Sequence, residues 1–137
     1  MGHLADIYVI QKSRSKSKAI DFLNHFLPQR EEKFNEYPIP QFSGNTEEEF
    51  DNASDLMTYL ETNPECNYRI YWRNKDDNNL NKHGMIAYTK DGHMIFGISR
   101  SAEMNENLNT DNEDECLMEM KEYFQTCLLY TSDAADE

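Results

Sequence analysis

Three consecutive strand-like segments, the last two joined by an Asp-Gly turn, constrain the fold of this 137-residue chain more than any other feature. Residues 68–73 alternate apolar and polar side chains, and residues 84–89 and 93–99 flank Asp91 and Gly92. An Asp-Gly pair between two such segments is typical of a β-hairpin in which the glycine takes a positive φ. Because short links favour antiparallel neighbours, we expect these segments to form an antiparallel meander.

The first part of the chain predicts one further strand and a helix. A β-branched and aromatic run indicates a buried strand over 6–12. A helix is expected over 18–27, with Ser17 as its N-cap and Pro28 ending it. The prolines within residues 28–45 exclude a central strand there, so either an edge strand or an ordered loop fits this connector.

Two capping-box patterns predict the remaining helices. Thr46 is followed by three glutamates, which favours a cap and an acidic first turn for a helix over 47–62. Thr110 begins a similar pattern, from which we expect a third helix starting near residue 111. The apolar positions of the 47–62 helix recur every three or four residues and are Phe50, Ala53, Met57 and Leu60.

The predicted element order, β-α-α-β-β-β-α, indicates an α+β domain. We expect a two-layer sandwich in which a mainly antiparallel four-stranded sheet carries its helices on one face. The length suits one domain, which we assign to residues 1–126. Residues 127–137 resemble the translation of a sequencing adapter, so we expect a non-native tail after a natural sequence that is truncated at Thr126.

The chain is strongly acidic, with a formal net charge of −13. Residues 35–66 contain eight acidic residues and no Lys or Arg, whereas residues 67–102 contain six bases and three acids. This balance argues against nucleic acid as a ligand and favours a basic protein partner. The same pattern also fits an ordinary solvated acidic face.

No residue pattern indicates catalysis or a bound cofactor. His25 and His93 lack metal-ligand or nucleophile spacing, and residues 111–115 fit a helix start better than a calcium loop. Cys66 and Cys116 are expected to be reduced thiols. No apolar run reaches the length of a membrane span, and the N-terminus has no signal-peptide pattern. We therefore expect a cytoplasmic protein that is not an enzyme and uses no cofactor, metal or membrane.

Residues 71–74 and 84–99 resemble small immunity proteins that are encoded beside toxins in bacterial competition loci. The resemblance implies a cytoplasmic inhibitor that binds one cognate toxin, often a nuclease, and blocks its active site. Nucleases hold phosphate in basic clefts, which an acidic inhibitor complements. The alternative hypothesis is a generic protein-interaction or regulatory domain with no toxin partner.

We expect the partner-binding surface to comprise the 47–62 helix and the loop before it. The candidate charged contacts are Glu47, Glu48, Asp51 and Asp55. Two aromatic residues of the preceding loop, Tyr37 and Phe42, are candidate anchors, because buried aromatic side chains dominate the binding energy of many interfaces.

Overall fold

The structure is a computed structural model that describes residues 4–42, 44–101, 118–123 and 128–131, and only the backbone of residues 4–5 and 128–131. Its architecture is α+β, as expected. The elements in chain order are β1 (Leu4–Gln11), α1 (Lys16–Phe26), β2 (Arg30–Glu32), β3 (Tyr37–Ile39), β4 (Glu48–Phe50), α2 (Ala53–Thr62), β5 (Tyr68–Asn74), β6 (Asn81–Tyr88), β7 (Met94–Ser101) and β8 (Leu128–Thr131). Residues 118–123 are also helical.

Within the described residues the main sheet has six antiparallel strands, where four were expected, in the order β2-β5-β6-β7-β1-β8. Its four central strands are the ones that the sequence patterns indicated, with β1 beside β7. The two additional strands, β2 and β8, are only three and four residues long and lie at the edges. A separate two-stranded ribbon joins β3 and β4. These short strands were not predicted because so few residues cannot display a hydrophobic alternation.

The β6–β7 hairpin has the predicted turn, with Gly92 at a φ of 85°. Gly97 in β7 is a position of close contact. A Cβ atom there would lie 2.9 Å from the Tyr8 ring and 3.2 Å from the Met85 side chain. The pairing register of β6 with β7 shifts between Asn81 and His83.

Helix α1 begins two residues earlier than expected because Ser15, rather than Ser17, is its N-cap. The Ser15 hydroxyl accepts a hydrogen bond from the Lys18 amide at 3.1 Å. The helix ends at Phe26, ahead of Pro28, as the sequence predicts. Its buried residues are Ala19, Phe22, Leu23 and Phe26.

The prediction of one helix over 47–62 is correct only from Ala53 onward. Residues Glu48–Phe50 form β4, which pairs with Tyr37–Ile39 of β3. This pairing supplies backbone partners that a first helical turn would otherwise provide, and the Glu47 amide donates to the Ile39 carbonyl at 2.7 Å. The N-cap is Asn52 and not Thr46. Glu47, Glu48 and Asp51 therefore precede the helix, and only Asp55 lies on it.

The helices cover one face of the sheet, and the core lies between the two layers. Phe22 of α1 packs against Phe96 of β7 with ring centroids 4.9 Å apart. The buried face of α2 consists of Ala53, Leu56, Met57 and Leu60. The helical residues 118–123 agree with the third predicted helix and contribute the fully buried Met120. Its expected start near residue 111 lies outside the described residues.

Strand β8 falls within residues 127–137, the expected non-native tail. Its backbone pairs antiparallel with Ile7–Ile10 of β1. Backbone pairing of this kind makes use of an otherwise open sheet edge, and it places few demands on the side chains of the added strand.

Candidate protein-binding surface

Six carboxylates are presented together on the β3–β4 ribbon and around the start of α2. We call them the acidic surface: Glu36, Glu47, Glu48, Glu49, Asp51 and Asp55. All six residues are exposed. Four of them are the charged contacts expected from the sequence, while Glu36 and Glu49 were missed. The signal that could have identified these two is the absence of any Lys or Arg between residues 35 and 66.

The ribbon holds the acidic surface in place by packing its apolar residues inward. Tyr37 and Ile39 of β3 are 2% and 5% exposed. Phe50 of β4 packs against Tyr59 of α2, with ring centroids 5.3 Å apart. These contacts join the ribbon to the core, so its glutamates project from a supported element and not from a free loop.

Asn52 orients two carboxylates at the start of α2. Its side-chain oxygen accepts from the Asp55 amide at 2.8 Å. Its side-chain nitrogen donates to Asp51 Oδ1 at 2.9 Å and to Asp55 Oδ2 at 3.1 Å. The unpaired amides at a helix N-terminus favour negative charge nearby, which offsets part of the repulsion between the two acids. Asp51 and Asp55 are therefore held in position before any partner binds.

Glu36, Glu49, Asp51 and Asp55 line an open concavity of about 420 Å³ together with Phe50. A cationic side chain with an aliphatic stem fits such a lining, because the stem contacts the ring while its charged head reaches the carboxylates. The concavity is therefore suited to a Lys or Arg side chain of another molecule.

No carboxylate of the acidic surface forms an ion pair with a Lys or Arg within the described part of the chain. The ion pairs found there are Arg73–Glu31, Arg100–Glu119, His25–Glu119 and His93–Asp91. The charge of the acidic surface is consequently left for an external cation.

The hydroxyl group of Tyr59 lies in the field of this surface. Burial raises the pKa of Tyr59, and Cys66, Glu48, Glu65 and Glu47 raise it further in that order. Negative charge near a phenol disfavours its ionised form, so Glu48 and Glu47 of the acidic surface add to the rise in pKa that burial begins.

The two expected aromatic anchors occupy different environments. Tyr37 lies in the core, where its hydroxyl shares its one hydrogen between two acceptors, Glu32 Oε1 at 2.8 Å and the Phe34 carbonyl at 3.0 Å. Its burial corrects the expectation that it faces a partner. Phe42 is 89% exposed and has a φ of 63°. Its neighbours include Gln41, in a groove separate from the acidic concavity.

His25, His93 and Cys66 make contacts within the fold. His25 Nε2 lies 3.0 Å from Glu119, and the His25 ring stacks on Tyr123. His93 Nδ1 lies 3.3 Å from Asp91 in the hairpin turn. Burial raises the pKa of Cys66, a free thiol. Cys116 and residues 111–115 lie outside the described residues. Among the residues that are described, no group of three His, Cys, Asp or Glu side chains is arranged to hold a metal ion.

The chain matches no family model, no curated protein and no solved structure. In the described ranges, no helix combines the length and apolar character needed to cross a bilayer.

Proposed function

We propose that this chain is an immunity-type inhibitor that binds and neutralises a basic toxin through the acidic surface. The observation that carries the proposal is a set of exposed carboxylates that form no ion pair with any Lys or Arg among the described residues, supported on a ribbon that is packed against the core. The resemblance of residues 71–74 and 84–99 to immunity proteins suggests that the partner is a toxin, often a nuclease. The proposed partner presents Lys and Arg side chains to hold phosphate.

Electrostatic attraction gives such an inhibitor speed and selectivity. Complementary charge raises association rates to about 10⁸ M⁻¹s⁻¹ or more at low salt, against roughly 10⁵–10⁶ M⁻¹s⁻¹ for uncharged surfaces. Each exposed charge pair contributes only about 0.2–1 kcal/mol, so a cluster of carboxylates is needed to produce a large effect. The concavity around Phe50 adds an apolar contact for the stem of a cationic side chain.

The experiment uses the products of the genes that flank this one in its source genome. Each neighbour is expressed under tight control in bacteria, with and without this chain, and colony survival is scored. We expect one neighbour to be toxic alone and tolerated with the wild-type chain. The double variant Glu47→Lys/Glu48→Lys should lose protection, whereas Asp21→Lys/Glu122→Lys, which changes the net charge equally at exposed positions elsewhere, should retain it.

Two results contradict the proposal. One is the lack of any neighbour whose toxicity this chain relieves, which favours a generic interaction domain. The other is equal protection by the two double variants when both accumulate as folded protein, since this would remove the acidic surface from the mechanism.

A further inference from the structure

The face of the sheet that the helices leave uncovered carries an apolar strip. Ile10, Ile95 and Ala87 lie side by side on β1, β7 and β6, and Arg69 on β5 ends the row. The neighbouring row consists of Tyr8, Gly97, Met85 and Tyr71, in the same strand order. The two rows thus form a continuous apolar strip that leads to an exposed guanidinium.

Gly97 gives this strip its groove shape. Since it has no side chain, Tyr8 and Met85 approach each other over the β7 backbone. The resulting groove has a volume of about 320 Å³ and is lined by Tyr8, Ile10, Arg69, Met85, Ala87 and Ile95. A second concavity shares Arg69, Ala87 and Ile95 with it and extends to Phe42 and Lys90.

The rim of the groove is positively charged. Arg69 lines the groove, Lys90 lines the adjoining concavity, and Lys33 Nζ lies over the Tyr71 ring, 5.9 Å from its centroid. All three are exposed, and none of them forms an ion pair with a described acidic residue. Two acids also lie on this face: Glu31 pairs with Arg73, whereas Asp6 accepts from the Ser99 hydroxyl at 2.6 Å and keeps its charge, so the three free bases outnumber it. Charge complementarity therefore favours an acidic occupant, the opposite of the partner suited to the acidic surface.

The occupant must contact side chains rather than extend the sheet. The β5 edge beside Arg69 is closed, because the Gln41 amide bonds to both the Arg69 carbonyl and the Arg69 amide. Further along this edge, the Lys33 amide donates to the Tyr71 carbonyl. The row from Ile10 to Arg69 crosses three strand spacings, or about 14 Å, which is roughly four residues of extended chain.

We propose that this uncovered face is a second docking site, which binds a short extended segment of another protein with an apolar side chain flanked by carboxylates. The apolar side chain lies over Ile95 and Ala87, and a carboxylate pairs with Arg69. A second copy of this chain suits the face less well, because apposing two such faces would bring their arginines and lysines together. The proposal does not depend on the toxin partner proposed above.

The test uses a fluorescein-labelled peptide, Glu-Glu-Leu-Phe-Glu-Glu, in 150 mM NaCl, where exposed charges more than about 8 Å apart are largely screened from each other. A matched peptide replaces every Glu with Gln. Binding is followed by fluorescence polarisation and by amide chemical shifts. We expect saturable binding of the acidic peptide, at least fivefold weaker binding of its Gln counterpart, and shifts concentrated at Arg69, Ala87 and Ile95.

Three protein variants complete the test. Arg69→Glu should weaken peptide binding at least tenfold, whereas Lys18→Glu, the same charge change on exposed α1, should alter it less than twofold. Glu47→Lys/Glu48→Lys should leave it unchanged, which separates this site from the acidic surface. The proposal is overturned if Arg69→Glu and Lys18→Glu behave alike, or if the Gln peptide binds equally well. It is also overturned if the wild-type chain forms dimers that Arg69→Glu dissociates, because a second copy then covers the face.

Discussion

The side-chain amide of Gln41 closes the edge of β5 by pairing with the backbone of Arg69. Gln41 Nε2 donates to the Arg69 carbonyl at 2.9 Å, and Gln41 Oε1 accepts from the Arg69 amide at 2.8 Å. One side chain thus provides the two hydrogen bonds that a neighbouring strand would make. The same contact attaches the loop after β3, which carries Phe42, to the main sheet.

Replacing Gln41 should open this edge. Gln41→Ala removes both hydrogen bonds at an exposed position, and we expect it to lower the free energy of unfolding by about 1 kcal/mol. The Arg69 amide should then exchange its hydrogen faster. Gln41→Glu keeps an acceptor but loses the donor, so its Arg69 amide should remain more protected than in Gln41→Ala. Equal exchange rates in all three proteins would show that the pairing does not persist in solution.

Arg14 should be one of the most important single side chains for stability. Its guanidinium donates to the carbonyls of Leu60 (2.5 Å), Asn63 (2.8 Å), Cys66 (2.6 Å) and Thr89 (2.6 Å). It therefore links the end of α2 to the β6–β7 hairpin. A lysine at position 14 can donate to only some of these carbonyls. We therefore expect Arg14→Lys to lower the free energy of unfolding in urea by about 2–4 kcal/mol, because several carbonyls lose a charged donor. A loss under about 0.5 kcal/mol would contradict this role.

Gly97 should tolerate no side chain. Gly97→Ala places a Cβ 2.9 Å from the Tyr8 ring, and we expect a destabilisation of about 1–3 kcal/mol together with a shifted Tyr8. Gly44→Ala is the matched control, because nothing lies within 4 Å of its added Cβ. That variant should be neutral or slightly stabilising through the unfolded chain. Similar unfolding midpoints for the two variants would exclude the close contact at Gly97.

Stability should fall in alkaline solution because buried tyrosines resist ionisation. Burial raises the pKa of Tyr68 to about 12, and burial also raises that of Tyr88. Since the unfolded value is about 10, this contribution is complete below pH 10 and is lost as the pH rises toward 12. We expect urea midpoints to be level from pH 7 to 9 and to fall between pH 10 and 12. An unchanged midpoint at pH 11 would contradict the shifts.

Two Tyr→Phe variants distinguish the contributions of the Tyr88 and Tyr37 hydroxyls to stability. The Tyr88 hydroxyl is buried and has no hydrogen-bond partner among the described residues, so Tyr88→Phe should cost less than about 0.5 kcal/mol at pH 7. It should also reduce the alkaline loss. Tyr37→Phe removes bonds to Glu32 and Phe34 and should cost about 1–2 kcal/mol at pH 7. The prediction fails if Tyr88→Phe is the more damaging of the two.

The central sheet could be predicted because its signals are local. Tyr68, Ile70 and Trp72 alternate with polar residues, and the structure buries all three. Gly92 marks a turn whose backbone requires a glycine. Each of these features depends on residues within about ten positions of one another, where periodicity and turn chemistry determine the conformation.

The start of α2 could not be predicted, because the local capping pattern competes with strand pairing to an earlier segment of the chain. Thr46 and Glu49 have capping-box spacing, yet the backbone of Glu48–Phe50 pairs with Tyr37–Ile39. Asn52 then caps α2, and the Ala53 amide donates to Glu32 Oε1 at 3.1 Å. The acidic residues were recognised from composition, but their placement on a ribbon depends on this tertiary contact.

The most direct test of the acidic surface uses the neighbouring gene product whose toxicity this chain relieves. The salt dependence of its binding is measured by calorimetry from 50 to 300 mM NaCl. We predict that affinity for the wild-type chain falls steeply as salt rises, because exposed charges are screened. Glu47→Lys/Glu48→Lys should bind at least tenfold more weakly at 50 mM and show a nearly flat salt dependence, while Asp21→Lys/Glu122→Lys retains the wild-type slope. The same affinity and slope for all three proteins would contradict the account.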